Sequence, residues 1–162
     1  MEKIRQRRQQ ANYLNTAPGE ETPVYSLMGV GFKTLDENPA AQTKSRRYVT
    51  DKSATKTVTG YDWSTSFDAD QIRSQAAVSF ITDIAEKQKT GEDAETDYVI
   101  VDLDQAIVSK ENTFHARRIP VAVEVSGLPN EDGEMGCTGN LLGQGDFVEG
   151  EFNTSTKTFT AA

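Results

Sequence analysis

The chain reads as a mainly β protein, a two-sheet antiparallel β-sandwich or barrel with one flanking α-helix, a long early loop and extended terminal arms. Three observations predict this. Only residues 68–89 carry a helical period; residues 57–67 and 113–126 alternate apolar and polar side chains at period two; and Gly, Pro and acidic clusters punctuate the remainder.

In the helical stretch, Ile72, Ala76, Ala77, Phe80, Ile81 and Ile84 fall on one stripe, which needs a sheet to cover. Asp68 followed by Gln71 predicts a capping box, and Lys87, Lys89 and Gly91 a stop, placing the helix at about 69–89. The preceding strand sets Tyr61, Trp63, Thr65 and Phe67 on one face and Asp62, Ser64 and Ser66 on the other. The expected helix–sheet core is Trp63, Phe67, Ile72, Phe80, Ile81 and Ile84.

The other elements follow in order. Residues 1–22, rich in Arg and Gln and ending in Pro18-Gly19, read as an N-terminal arm; residues 23–153 form a single domain; residues 154–162 form a C-terminal tail, frayed or a second arm. A strand over 23–35 is interrupted at Gly29 and Gly31, as at a bulge or a close backbone approach, and ends at the acidic run before Pro39. Residues 41–56 make a long, basic, exposed loop or loose hairpin, a candidate contact element. Residues 98–103 read as a short buried strand. In the strand over 113–126, Ile119, Val121, Val123 and Val125 point one way and Ala122, Glu124 and Ser126 the other, with Pro120 marking an edge or a break. An acidic turn over 128–136 and a last strand pattern over 140–153 complete the domain.

Charge is unevenly spread. The net charge is -8, yet residues 1–10 carry +3 and residues 44–56 carry +4, leaving -15 on the rest. A nucleic-acid binder draws most of its affinity from neutralising phosphates, so this acidic body should repel DNA. Cys137 and His115 are each the only residue of their kind, which excludes an intrachain disulfide and zinc sites built from Cys and His clusters. Asp102 and Asp104 flank Leu103 without a convincing third metal ligand. No phosphate loop, dinucleotide fingerprint or nucleophile elbow occurs, and nothing around His115 argues for a triad. No catalytic residue, cofactor or metal is expected. No apolar run approaches the ~18 residues that span a bilayer, so membrane insertion is not expected.

Three stretches, residues 25–37, 57–84 and the closing 113–127 with 138–153, together resemble the tail tube (major tail) proteins of long-tailed bacteriophages. The layout carries the likeness: a β-sandwich, one helix, a long early loop and two arms. That family is related in fold to the tube proteins of type VI secretion systems. The resemblance implies a virion structural subunit, assembled in the host bacterial cytoplasm, that self-associates into hexameric rings stacked into a hollow tube. It implies as partners the chain itself, a tape measure protein and tail-tip or terminator proteins, with genomic DNA passing through the lumen without specific binding. On this reading Asp62, Glu124, Glu149 and Glu151 are candidates for an acidic lumen lining. Arg5, Arg7, Arg8, Lys44, Arg46, Arg47 and Lys52 are candidates for contacts between subunits or rings. The alternative is a monomeric or trimeric module that decorates a capsid or tail, or binds through a pocket or aromatic patch.

Overall fold

The computed structural model describes residues 2–162. It is mainly β and antiparallel, with one α-helix. The strands are β1 (Gln10–Asn15), β2 (Tyr25–Leu27), β3 (Phe32–Asn38), β4 (Ala41–Arg46), β5 (Thr55–Tyr61), β6 (Ser64–Asp70), β7 (Glu95–Ala106), β8 (Thr113–Gly127), β9 (Asn130–Glu131), β10 (Glu134–Gly143), β11 (Val148–Asn153) and β12 (Thr158–Ala161); α1 spans Ala76–Glu86. No helix among the described residues is long and apolar enough to cross a membrane.

Seven strands follow the path β2-β1-β7-β8-β10-β6-β3. Laid flat, its two ends would stand about 29 Å apart at ~4.8 Å per strand. They are joined by residues 28–31, a connection that reaches at most about 18 Å. The sheet therefore curls into a barrel that stays open between β2 and β3, which share no ladder. Gly31 makes the join possible: its φ is +98°, and a Cβ there would stand 3.3 Å from Val78 Cγ2.

Strand β8 is the hinge of the architecture. Along one edge it pairs with β7. Along the other it pairs with β11 from Thr113 to Arg118 and with β10 from Val121 to Gly127. Pro120, with no N–H to donate, sits where the partner changes, as its position in the sequence predicts. The split produces two cores. Tyr98 and Ile100 of β7 enter the larger one with Leu14, Trp63, Phe67, Ile119, Leu141 and the helix residues Ala77, Ile81 and Ile84. Val99 and Val101, pointing the opposite way, enter the smaller one with Tyr13, Tyr25, Ala116 and Phe152.

Several expectations are revised. The helix begins eight residues after Asp68, because the period-two pattern of residues 64–70 continues strand β6 through Asp68 and Asp70; its N-cap, Gln75, makes no side-chain capping bond. Ile72 lies before the helix, half-buried, and Ala76 is exposed while Val78 takes an inward place; Phe80 packs at the core margin. The N-terminal arm is shorter than residues 1–22, since β1 lies inside the sheet between β2 and β7 with Asn12, Tyr13, Leu14 and Asn15 buried. Residues 158–161 are no loose tail but strand β12, paired with β11. The pattern over 140–153 divides into the end of β10 and all of β11, separated by a loop.

Cys137 is buried in the larger core beside the helix, and that burial pushes its thiol pKa up to about 11. Thiolate is the reactive form. A thiol reagent at pH 8 is expected to label Cys137 only as urea unfolds the chain; rapid labelling in native buffer would mean that the contact between β10 and α1 opens readily.

Candidate assembly surfaces

Strands β3 to β6 form one long hairpin whose inner half belongs to the barrel and whose outer half leaves it. The departure occurs at Pro39-Ala40 on one arm and at Asp62-Trp63 on the other, where the Asp62 N–H donates to the Ala40 carbonyl at 3.1 Å and Ala40 has a φ of +47°. Beyond this point β4 and β5 pair only with each other. Every residue of β4 is exposed, and of β5 only Gly60 is partly covered. The sequence allows this, because neither strand has an apolar face to bury. A two-stranded ladder alone in water is marginally stable.

The tip is nonetheless ordered. Asp51 accepts the Tyr48 N–H on its carboxylate at 3.1 Å and returns its own N–H to the Tyr48 carbonyl at 3.0 Å. Its carbonyl also accepts Arg47 Nε at 3.3 Å. The hairpin's one carboxylate is thereby turned into its own turn, while Lys44, Arg46, Arg47, Lys52 and Lys56 form no ion pair among the described residues. Tyr48, Val49, Val58 and Tyr61 are exposed on the same projection. Sequence patterning flagged the charges here and missed these apolar groups.

The N-terminal cations behave differently from the hairpin ones. Arg5 pairs with both Asp102 and Asp104 of its own chain, and Arg7 donates to the Gln10 carbonyl and to Asn12 Oδ1. Asn12 in turn donates to the Tyr98 hydroxyl, whose burial raises its pKa above the usual tyrosine value while the bond from Asn12 acts against that rise. Arg5 and Arg7 thus fasten the segment before β1 to the barrel, and of the three only Arg8 has no bonded side chain among the described residues.

At the root of the hairpin lies a cleft of about 550 Å³, lined in part by Tyr61, Asp62, Trp63, Asp146 and Phe147. Glu37 is its hub. It accepts Trp63 Nε1 at 2.8 Å and both terminal nitrogens of Arg117 at 3.1 and 3.3 Å. The Arg117 guanidinium stands 4.8 Å above the Phe147 ring, which meets the Trp63 ring edge-on at 5.2 Å. No local pattern joins Glu37 to Arg117, because the barrel brings them together from 80 positions apart.

The four acidic lining candidates do not share a surface. Glu124 lies on the outer face of the barrel in a row that runs Glu124, Asn140, Ser66, Asp36 across β8, β10, β6 and β3, and it accepts Asn140 Nδ2 at 3.1 Å. Asp62 is exposed at the rim of the cleft. Glu149 and Glu151 stand opposite Arg117 and His115 of β8, residues whose parity along the strand points them to the face opposite Glu124. Glu151 is held by Lys110 at 2.7 Å. Period two separates them: the odd positions of β8 and their β11 partners share one side of the sheet, the even positions the other. No protein-family model matches the chain, and no curated protein matches it.

Proposed function

We propose that this chain is a self-assembling structural subunit, of the kind that builds a hollow phage tail tube from stacked hexameric rings, and that it performs no catalysis. One observation carries the reading: the β4–β5 hairpin is exposed on both faces, basic and tipped with apolar side chains, on a body of opposite charge. Exposed apolar groups gathered on one element mark a contact surface. The free edges of β2, β3 and β12 add backbone groups that a neighbouring subunit would pair.

On this reading the face of β3, β6, β10 and β8 that carries Glu124 turns toward the lumen. It is a mostly polar sheet face with carboxylates at Asp36, Asp68, Asp70 and Glu124, of which Asp68 and Asp70 are bonded to Lys33, and with Ala122 and Leu142 at one end. A lining of that chemistry repels phosphate and leaves DNA free to slide.

The test is assembly. Negative-stain electron microscopy and sedimentation across a concentration series should reveal rings or tubes of uniform diameter. Arg46→Gln with Arg47→Gln should weaken assembly while leaving the thermal melt unchanged; each exposed pair contributes only about 0–1 kcal/mol, so the effect comes from repetition. Normal assembly of this double variant would rule out the hairpin cations as contacts.

The aromatic cleft at the hairpin root supports a second reading, a monomeric or trimeric capsid or tail decoration module that binds through that cleft. A small, monodisperse particle at every concentration would favour it.

A further inference from the structure

A broad groove of about 990 Å³ opens between the C-terminal half of α1, the turn that follows it, the start of β7 and the connection from β1 to β2. Phe80 and Pro120 give it apolar patches, and it carries Asp83, Glu92, Asp93, Glu95 and Asp97 against a single cation, Lys89. Lys89 is already bonded to Asp83 at 2.9 Å, and Glu95 accepts Gln144 Nε2 at 2.9 Å. Glu92, Asp93 and Asp97 have no cationic partner among the described residues.

We propose that this groove receives the tip of the β4–β5 hairpin of a second copy of the chain, an inference that rests on the assembly reading and adds to it the receiving surface. The charges are opposite: five hairpin cations, with Asp51 turned inward, face Glu92, Asp93, Glu95 and Asp97, while Asp83 is held by Lys87 and Lys89. The chemistry matches beyond charge, since Tyr48 and Val49 at the tip meet Phe80 and Pro120.

The chain's own tip does not reach its own groove. Ser64 at the hairpin root and Glu95 at the groove both stand level with Ala122 of β8, through the registers of β6 on β10, β10 on β8 and β7 on β8. From that level the run from Ser64 back to Thr55 carries the tip up to about 30 Å away at ~3.3 Å per residue. Because the tip and the groove are different patches, the contact repeats head to tail from copy to copy, around a ring or along a line.

A charge exchange tests this. Glu92→Lys with Asp93→Lys reverses the charge at two groove positions and brings the groove from -4 to 0, and Arg46→Glu with Arg47→Glu reverses it at two tip positions and brings the hairpin from +4 to 0. The net attraction is lost and like charges face each other at the exchanged positions, so each reversed protein alone should need at least about tenfold more protein to reach half assembly. An equimolar mixture of the two places a reversed tip opposite a reversed groove and should recover part of that loss. The chain carrying all four substitutions should recover most of it.

If wild type assembles and the groove reversal assembles equally well, the groove is not the receptor while the assembly reading stands. If wild type remains a monomer at every concentration, both fall together. If wild type retains a short DNA duplex, the tip reversal releases it and the groove reversal has no effect on assembly, the tip serves nucleic acid and the proposal is overturned. Should either reversal alter the thermal melt, Glu92→Gln with Asp93→Asn and Arg46→Gln with Arg47→Gln carry the same comparison with a smaller charge change.

Discussion

A chain in which residues 41–61 are replaced by an Asn-Gly turn is expected to fold as the wild type does and to lose assembly altogether. The geometry at the root makes the graft compatible with the barrel. The Asp62 N–H already donates to the Ala40 carbonyl at 3.1 Å, which is the hydrogen bond that closes a two-residue turn between those positions. The removed residues bury nothing against the two cores, so the stability lost should stay within roughly 1 kcal/mol, as for surface changes away from packed groups. The root itself stays pinned, because Glu37, Trp63, Arg117 and Phe147 all lie outside the excised segment. Urea melts of the two proteins should overlay, while sedimentation should separate a wild type that grows with concentration from a variant that does not. Tubes formed by the excised chain would end the argument that the hairpin joins subunits.

How much of this could be read from residues alone depends on which interaction buries each one. Where apolar groups do it, the sequence is transparent: the inward faces of β6 and β8, the buried run of β7 and the inner stripe at Ala77, Ile81 and Ile84 follow from periodicity. Where polar groups do it, the sequence misleads. Strand β1 has the sequence QANYLN after a basic run and resembles the end of an arm, yet Asn12 and Asn15 are buried. Each is satisfied by specific bonds: Asn12 by Arg7 and Tyr98, and Asn15 through its side chain by the Ala17 and Val24 N–H groups. Only Tyr98 among those partners is distant in sequence; what no local window reveals is that β1 lies between β2 and β7, where these bonds are needed.

The assembly surfaces follow the same division. The hairpin was legible as an exposed basic element because it lacks a buried face. The groove was not, since its carboxylates come from α1, the turn after it and β7, and only the fold gathers them. The distribution of Glu149 and Glu151 relative to Glu124 required the register of β11 on β8, which alternation within one strand does not supply.

Phe152→Ala should be the most damaging single truncation, costing about 3–5 kcal/mol, because it empties the centre of the smaller core. Phe152 is fully buried, with the Tyr13 ring 4.4 Å and the Tyr25 ring 5.8 Å from its own. Those rings come from β1 and β2, on the far side of β7 and β8, so this one side chain ties the β11–β12 branch to the β1–β2 edge across the smaller core. Relaxation into the space left behind is restricted from the β12 side, where Gly150 already lies so close that a Cβ on it would stand 2.2 Å from the Thr160 carbonyl oxygen. The half-exposed Val148, on the same strand, provides the comparison: Val148→Ala should cost well under 1 kcal/mol. With a urea slope of about 1–3 kcal/mol per molar, the Phe152 variant should unfold at least about 1 M earlier than the Val148 variant. A loss below about 1 kcal/mol for Phe152→Ala would mean that β11 and β12 are detachable, and that the chain's C-terminal end is an arm available to neighbouring subunits. A full loss would place β11 and β12 inside the folding unit, leaving the hairpin as the element free to reach another copy.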